Sequence, residues 1–307
     1  MPQPMIGRVS VVIPALNEEA AIGTTVKKIL ELYPEFEVIV VDDGSSDGTS
    51  RVAEAAGARV IRHPYNIGNG AAVKTGIRSA SGDYVVLMDG DGQHAPEDIK
   101  QLLAEAARYD MVVGARDPRG QASLGRRIAN WCYNRLASYV GKFPVKDLTS
   151  GFRVFKRDTV LRFLYLFPNT FSYPTTSTLV YLRSGLTIKY VPIDVKKRIG
   201  KSKIKLLRDG TRFFLIILRI ATFFSPLRIF IPISGFFFLL GLGYYVYTFV
   251  TSHRFSNMSA LLLSVSVMVF LMGLISEQIT QMRYDRVEEV IEKREAGDGD
   301  ERIQPYS

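Results

Sequence analysis

Short apolar runs alternate with longer amphipathic segments through the first 115 residues of this 307-residue chain. Val9–Ile13, Val38–Val41, Arg59–Ile61, Tyr84–Met88 and Met111–Val113 read as strands. Glu19–Leu32, Thr49–Ala56, Gly70–Ser79 and Glu97–Tyr109 read as the helices that separate them. Strands interleaved with helices of this length imply an α/β fold with a mostly parallel sheet covered on both faces. Ligands bind such sheets at the carboxyl ends of the strands, where Pro14–Glu19, Asp42–Asp47 and Asp89–Gln93 are expected to converge. Beyond this region the pattern is less regular. Leu124–Tyr139 and Tyr173–Ser184 look helical, Ser150–Phe155 and Thr187–Val191 strand-like.

Two long apolar runs end the patterned part of the chain. Ile229–Thr251 holds 23 residues without a charge and Met258–Ser276 holds 19, joined by six residues that permit only a tight helical hairpin. The first run would be about 34 Å long as a helix, enough to cross a bilayer. Arg254 is the one Lys/Arg in the connection, whereas basic residues crowd before the first run and after the second, so both termini are expected on the cytoplasmic side. Leu206–Phe224 sets Arg208, Arg212 and Arg219 against Phe, Leu and Ile, as an interfacial helix does. The tail from Glu292 is polar and expected to be disordered.

Charge sharpens this picture. The net charge of +9 comes from Lys196–Arg228, which carries ten Lys/Arg against Asp209 alone; the rest of the chain has 29 of each sign. A basic block ahead of two spans points to an anionic membrane surface and not to nucleic acid. Cys132 is the single cysteine, so no internal disulfide can form and a reducing, cytosolic setting for the soluble part is expected. Met1–Arg8 has neither a charged n-region nor an apolar h-region, so no cleavable signal peptide is read there.

The candidate chemistry sits at the strand ends. Asp89-Gly90-Asp91-Gly92-Gln93 follows a buried strand, and oxygen ligands two residues apart between glycines suit a hard divalent cation and the diphosphate it bridges. A polar turn closing a strand is the alternative. No His or Cys cluster accompanies the acids, which argues against zinc. Asn17 is placed to cap the first helix and Asp47 the second, whereas Asp42 and Asp43 have no evident structural need and suit a ribose or base. Gly68-Asn69-Gly70 does not follow a clear strand and is rejected as a dinucleotide fingerprint.

Taken together, Val12-Ile13-Pro14-Ala15-Leu16-Asn17-Glu18, Val41-Asp42-Asp43-Gly44-Ser45 through Gly48-Thr49, and Asp89-Gly90-Asp91-Gly92-Gln93-His94 resemble family-2 glycosyltransferases of the Rossmann-like GT-A fold. Ser150-Gly151-Phe152-Arg153 and Arg198-Ile199-Gly200-Lys201-Ser202-Lys203 resemble the polyprenyl-phosphate branch, with its dolichol-phosphate mannose synthases and bactoprenol glucosyltransferases. The resemblance implies a catalytic domain over 1–200, a basic juxtamembrane helix over 201–227, a transmembrane hairpin over 228–282 and a cytoplasmic tail over 283–307. It implies that Pro14, Ala15, Asn17, Glu18, Val41, Asp42, Asp43, Asp89, Gly90 and Arg116 bind the nucleotide sugar. It further implies that Asp91 and Gln93 hold Mg²⁺ or Mn²⁺, and that Arg126, Arg127, Ser150, Arg153, Arg198 and Lys203 serve the acceptor or the diphosphate. Asp89, Asp91, Arg198 and Lys203 are the expected catalytic group.

The substrates so implied are a nucleoside diphosphate sugar, either GDP-mannose or a UDP-sugar, and a dolichyl or undecaprenyl phosphate. Hydroxyl acceptors need a carboxylate base, yet Thr159–Ile193 contains no Asp or Glu. A phosphate is ionised at neutral pH and attacks unaided; what it needs is Arg and Lys to offset repulsion from the donor. Direct attack predicts inversion at the anomeric carbon. Two thin spans leave room for packing against other copies. A processive polysaccharide synthase is the competing enzyme, but its Gln-x-x-Arg-Trp signature is missing around Trp131, the only tryptophan. A membrane-tethered nucleotide-binding module is the non-enzymatic alternative and leaves Asp89, Asp91 and Gln93 without a purpose.

Overall fold

A computed structural model describes residues 7–116, 124–170, 172–195, 222 and 225–295, with backbone alone for 124–129, 140 and 283–295. The chain divides near residue 210 into two compact units. In the first, β1 (Val9–Ala15), α1 (Glu19–Leu32), β2 (Glu37–Asp42), α2 (Thr49–Ala55), β3 (Arg59–Arg62), α3 (Asn69–Ser79) and β4 (Tyr84–Leu87) alternate as expected. A 3-10 turn at Pro96–Asp98 then leads into α4 (Ile99–Ala106), followed by β5 (Met111–Arg116) and α5 (Leu124–Gly141). The remaining elements are β6 (Arg153–Lys156), α6 (Arg157–Phe163) with a 3-10 turn at Leu164–Leu166, α7 (Tyr173–Arg183) and β7 (Ile188–Ile193). The pattern of apolar positions did not announce α6. The strand-like stretch from Ser150 supplies a strand only from Arg153, its first residues forming a loop.

The seven strands lie in the order β3-β2-β1-β4-β6-β5-β7. β1 pairs in parallel with β2 and β4, and β2 with β3, so the first half is a doubly wound sheet. β6 runs antiparallel to both β4 and β5, while β5 and β7 are parallel. All strands but β6 therefore point the same way. One consequence fixes the site: the segment that enters β6 arrives at the edge where the other strands end.

On one face, Ile22, Val26 and Ile29 of α1 and Ile99, Leu102 and Leu103 of α4 close over Val11, Val40, Val86 and Val154, all essentially excluded from water. This is the buried, Val/Ile-rich signature of parallel strands. α3 covers the opposite face, and a methyl added at Gly76 would lie 3.2 Å from a Val41 methyl. Gly68 and Gly70 have structural reasons of their own. Gly68 adopts φ +129°, which side chains rarely do, and a Cβ at Gly70 would press on the Pro168 and Thr170 carbonyls, the latter at 2.7 Å. Ala71 N–H donates to Asn169 O at 2.8 Å across this contact. That close approach accounts for the Gly-x-Gly spacing without a dinucleotide.

The second unit is a helical hairpin, α8 (Leu227–Ser252) and α9 (Asn257–Glu295). Leu227–Ser252 and Asn257–Met282 are each 26 residues long and apolar enough to cross a membrane. α9 runs on through Glu292 to Glu295, beyond both the expected span and the start of the expected disordered tail. Ser234 and Ser266 each donate a hydroxyl to the other's backbone carbonyl at 2.9 Å, a reciprocal clamp between the two helices. Phe236, Leu239 and Val250 face outward, as lipid-facing residues do. The expected interfacial helix at Leu206–Phe224 lies outside the described residues, Thr222 apart.

A substitution tests the α3 contact. Gly70→Ala should lower unfolding free energy by about 1–3 kcal/mol, the usual cost of overpacking. Thermal unfolding with an unchanged midpoint would show that the 168–170 loop yields freely.

Candidate active site

Three loops leave the carboxyl ends of β1, β2 and β4, and hydrogen bonds tie the first two to each other. Asn17 sits in the left-handed region at φ 53°; its N–H donates to Ser45 Oγ at 2.9 Å and its Oδ1 accepts from Ser46 N–H at 2.8 Å. It is therefore a bridge between loops and not the cap of α1, whose cap position is Glu18. Glu18 N–H donates to Thr49 Oγ1 at 2.9 Å, and Glu19 Oε2 accepts from Gly48 N–H at 3.0 Å. Asp47 accepts from Thr49 N–H at 3.0 Å, while Gly48 occupies the cap position of α2.

The two adjacent acids turn out to have structural work. Asp42, fully buried, accepts from Ser45 N–H at 2.8 Å and from the Ser50 hydroxyl. Asp43 binds His63 Nδ1 at 2.7 Å and accepts from Ile67 N–H at 3.0 Å and Gly68 N–H at 2.8 Å. His63 Nε2 meets Thr75 Oγ1 at 2.9 Å, tying this carboxylate to α3. The expectation that neither acid has a structural need is thus corrected: both organise the loop backbone. Pro14, Ala15 and Val41 are buried strand residues beneath these loops.

β4 delivers the second acidic pair. Asp91 is buried, and its Oδ1 accepts from the Gln93 N–H at 3.1 Å. Asp89 lies directly over Gly151, where an added Cβ would sit 2.6 Å from its carboxylate oxygen. His94 Nε2 stands 3.5 Å from Asp89 Oδ2, its ring tilted against Phe152, and its buried Nδ1 has no hydrogen-bond partner. Gly90 packs its backbone near Ile13 and Pro14. Only the antiparallel entry of β6 brings Gly151 here.

Arg116 closes the rim from β5. Its Nε and Nη2 donate to the two oxygens of Asp147 at 2.7 and 2.9 Å, a bidentate pair, and Nη2 also reaches Thr149 Oγ1 at 2.6 Å. Burial alone would weaken the Arg116 charge. The Asp147 bonds outweigh it, and Asp89 and Asp91 add to the pull, so the guanidinium is held charged more firmly than usual. Burial likewise opposes the Asp147 charge, but Arg116 and backbone donors carry its carboxyl below the ordinary value.

Arg153, expected to serve the acceptor or the diphosphate, lies in the interior. It is fully buried; its guanidinium donates to Ser150 O at 2.8 Å, Leu148 O at 3.1 Å, Ser177 Oγ at 2.9 Å and Thr178 Oγ1 at 2.8 Å. It braces the 148–150 loop from behind. Ser150 is buried beside it, its N–H on Asp147. Arg126 and Arg127 lie on α5, described by backbone alone, and Arg198 and Lys203 lie outside the described residues. Asp147, Gly151, His63 and His94 were not singled out for roles. Asp147 has no local signal, being 31 residues from its partner.

The oxygen-only donors Asp89, Asp91 and Gln93 fit a hard divalent cation. Among the described residues no group of three or more His, Cys, Asp or Glu forms a metal cage, so remaining ligands would have to come from a bound diphosphate or water.

Comparison with known proteins follows the same lines. The pattern of glycosyl transferase family 2 matches residues 10–162, and that of the GtrB C-terminal hairpin matches 225–282. An undecaprenyl-phosphate mannosyltransferase of Micrococcus luteus is 31% identical over 212 residues, which are 64% of this chain and 87% of that protein. This chain belongs to glycosyl transferase family 2. Another relative, glycosyltransferase AglJ of Haloferax volcanii, is 29% identical over 311 residues, 95% of this chain and 99% of that one. Glucosyl-3-phosphoglycerate synthase from Mycobacterium tuberculosis, solved with Mn²⁺ and uridine-diphosphate-glucose, superposes with a TM-score of 0.56 at 25% identity, covering 69% and 79% of the two chains. The family-2 unit and the hairpin match together make this a membrane-associated glycosyltransferase.

The Arg116–Asp147 pair yields a pH prediction. With its folded pKa below the ordinary 3.8, Asp147 stabilises the fold above that value and loses the contribution as pH falls through its folded pKa. Asp147→Asn should destabilise by about 3 kcal/mol at neutral pH, with the gap from wild type narrowing in acid. Denaturant titrations across pH check this; a gap that stays constant down to roughly pH 2 would overturn it.

Proposed function

We propose that this enzyme transfers a hexose from a nucleoside diphosphate sugar, GDP-mannose or a UDP-sugar such as UDP-glucose, to a polyprenyl phosphate at the membrane. The carrying observation is how the rim acids are committed. Asp42 and Asp43 bind loop backbone and Asp147 binds Arg116, while α6, α7 and β7 contribute no carboxylate between Thr159 and Ile193. That rim favours an acceptor needing no general base, and a lipid phosphate is one. Relatives named as undecaprenyl-phosphate transferases and as a dodecaprenyl-phosphate galacturonate synthase support the same acceptor class.

In this reading the base and ribose lie over the Asp43 loop, with Asn17 and Glu18 framing the pocket. Asp91 and Gln93, with Asp89 beside them, would hold Mg²⁺ or Mn²⁺ together with the diphosphate end of the donor. When bound, that cation would supply positive charge to offset the charge developing on the departing diphosphate. Arg116 is held in place by Asp147 and keeps its positive charge facing that end. A phosphate oxygen of the acceptor attacks the anomeric carbon while the sugar–diphosphate bond breaks, and the nucleoside diphosphate leaves with the electron pair. No proton moves, and the configuration inverts. Arg198 and Lys203 draw the lipid phosphate toward the anionic donor, with the catalytic unit and both termini on the cytoplasmic face.

The decisive assay offers purified full-length protein a panel of labelled nucleotide sugars with polyprenyl phosphate and Mn²⁺, and scores label in the organic phase. Asp91→Ala should reduce transfer by roughly 10²–10³-fold or more while membrane insertion is unchanged; near-normal turnover would remove the cation assignment. Lys203→Ala should weaken use of the lipid phosphate far more than binding of the nucleotide, whereas equal loss of both would move that lysine to the donor side. A product that keeps the donor's anomeric configuration would exclude direct attack.

A further inference from the structure

Neither imidazole nitrogen of His63 is spare. The residue is buried one position past β3, where its N–H donates to Asp42 O at 2.8 Å. Nδ1 lies 2.7 Å from Asp43 Oδ1, and Nε2 lies 2.9 Å from Thr75 Oγ1 on α3. A carboxylate only accepts, so Nδ1 is the donor to Asp43. The Thr75 hydroxyl can donate to Nε2 of a neutral ring or accept from a charged one, so the bridge survives either state. Filling the interior calls for none of this, since an apolar ring would do it without buried polar atoms to satisfy.

What His63 controls follows from the bonds to Asp43. The two carboxylate oxygens offer about four acceptor sites. Oδ1 takes His63 Nδ1 and Ile67 N–H, which fills it, and Oδ2 takes Gly68 N–H. The site left open is therefore on Oδ2. A carboxylate turns easily about its last torsion. Held by its two backbone donors alone, it could swing, and the open site would swing with it. The chain around it is already fixed: a Cβ on Gly44, at φ +75°, would sit 2.6 Å from the Tyr65 carbonyl carbon and 2.8 Å from Asn66 N, so residues 65 and 66 pass flat over that glycine. The ring of His63 removes the remaining freedom.

We infer that His63 is a positioning residue for the donor nucleotide: backed by Thr75, it fixes the carboxylate plane of Asp43 so that the open acceptor site on Oδ2 meets an N–H or hydroxyl of the nucleoside. It acts through Asp43 and not by contact. The inference rests on the reading that the Asp43 loop holds the base and ribose, and it is independent of which sugar and which acceptor are used.

Isothermal titration of full-length protein in detergent with UDP and with GDP, in the presence of Mn²⁺, reads the effect without turnover. In His63→Asn an amide N–H stands where Nδ1 stood, whereas in His63→Gln it stands nearer Nε2. His63→Asn should therefore bind the preferred nucleotide within about twofold of wild type, and His63→Gln about tenfold more weakly. Thr75→Val, at the less buried end of the bridge, should weaken binding roughly threefold in the wild-type background and not in His63→Asn, where no ring is left to steady. That pair of backgrounds decides alone where His63→Gln fails to fold. Wild-type affinity in His63→Gln, equal loss in the Asn and Gln variants, or a Thr75→Val effect that is absent or the same in both backgrounds would overturn the inference and leave His63 a residue of the fold. A wild-type protein that binds neither UDP nor GDP would instead overturn the donor-pocket reading, and the inference with it.

Discussion

Asp89 can occupy its position only because residue 151 has no side chain. The carboxylate lies where a Cβ would be, and Gly151 is there because β6 runs against its neighbours and feeds its leading loop to the carboxyl rim. The same reversal sets Asp147 against Arg116, Ser150 behind it and Phe152 under His94. A wholly parallel sheet would have sent that loop to the opposite edge. One antiparallel strand thus joins the rim loops of β1, β2 and β4 to the residues that follow α5.

Much of the rest follows from keeping charge buried but bonded. Asp42, Asp43 and Asp147 are each withdrawn from water, and each is answered by backbone or side-chain donors. Arg153 goes further, a fully buried guanidinium met by carbonyls and hydroxyls with no carboxylate bonded to it. Burial lowers its pKa, and only distant acids and phenols act the other way. A group so enclosed is costly to leave unbonded, so its bonds hold the 148–150 loop firmly. Rigid acids and a charged Arg116 are what a site needs if it is to meet developing charge without rearranging.

The periodic half of the molecule was legible in sequence because buried parallel strands are nearly continuous Val/Ile runs and their crossover helices are amphipathic. β1 through β5, and α1 to within a residue, came out of that pattern. The glycines and acids of Asp89–Gln93 marked the rim for the same local reason. Long-range pairings were not legible. Nothing near Asp147 announces that it answers Arg116, and nothing near Arg153 announces that it is interior; both facts depend on the direction of a four-residue strand. Asn17 was read as a cap because its type and place suit one. Its left-handed backbone turns it toward the neighbouring loop instead, a tertiary demand overriding a local preference.

A lipid substrate places a constraint on such a site that a soluble one does not. Its phosphate cannot leave the headgroup plane by more than a few ångströms without dragging prenyl chain into water, at about 0.8 kcal/mol for each exposed methylene. An enzyme acting on such a lipid must therefore bring its rim to the membrane and hold it level. A tether at one end of the unit limits distance but leaves tilt free.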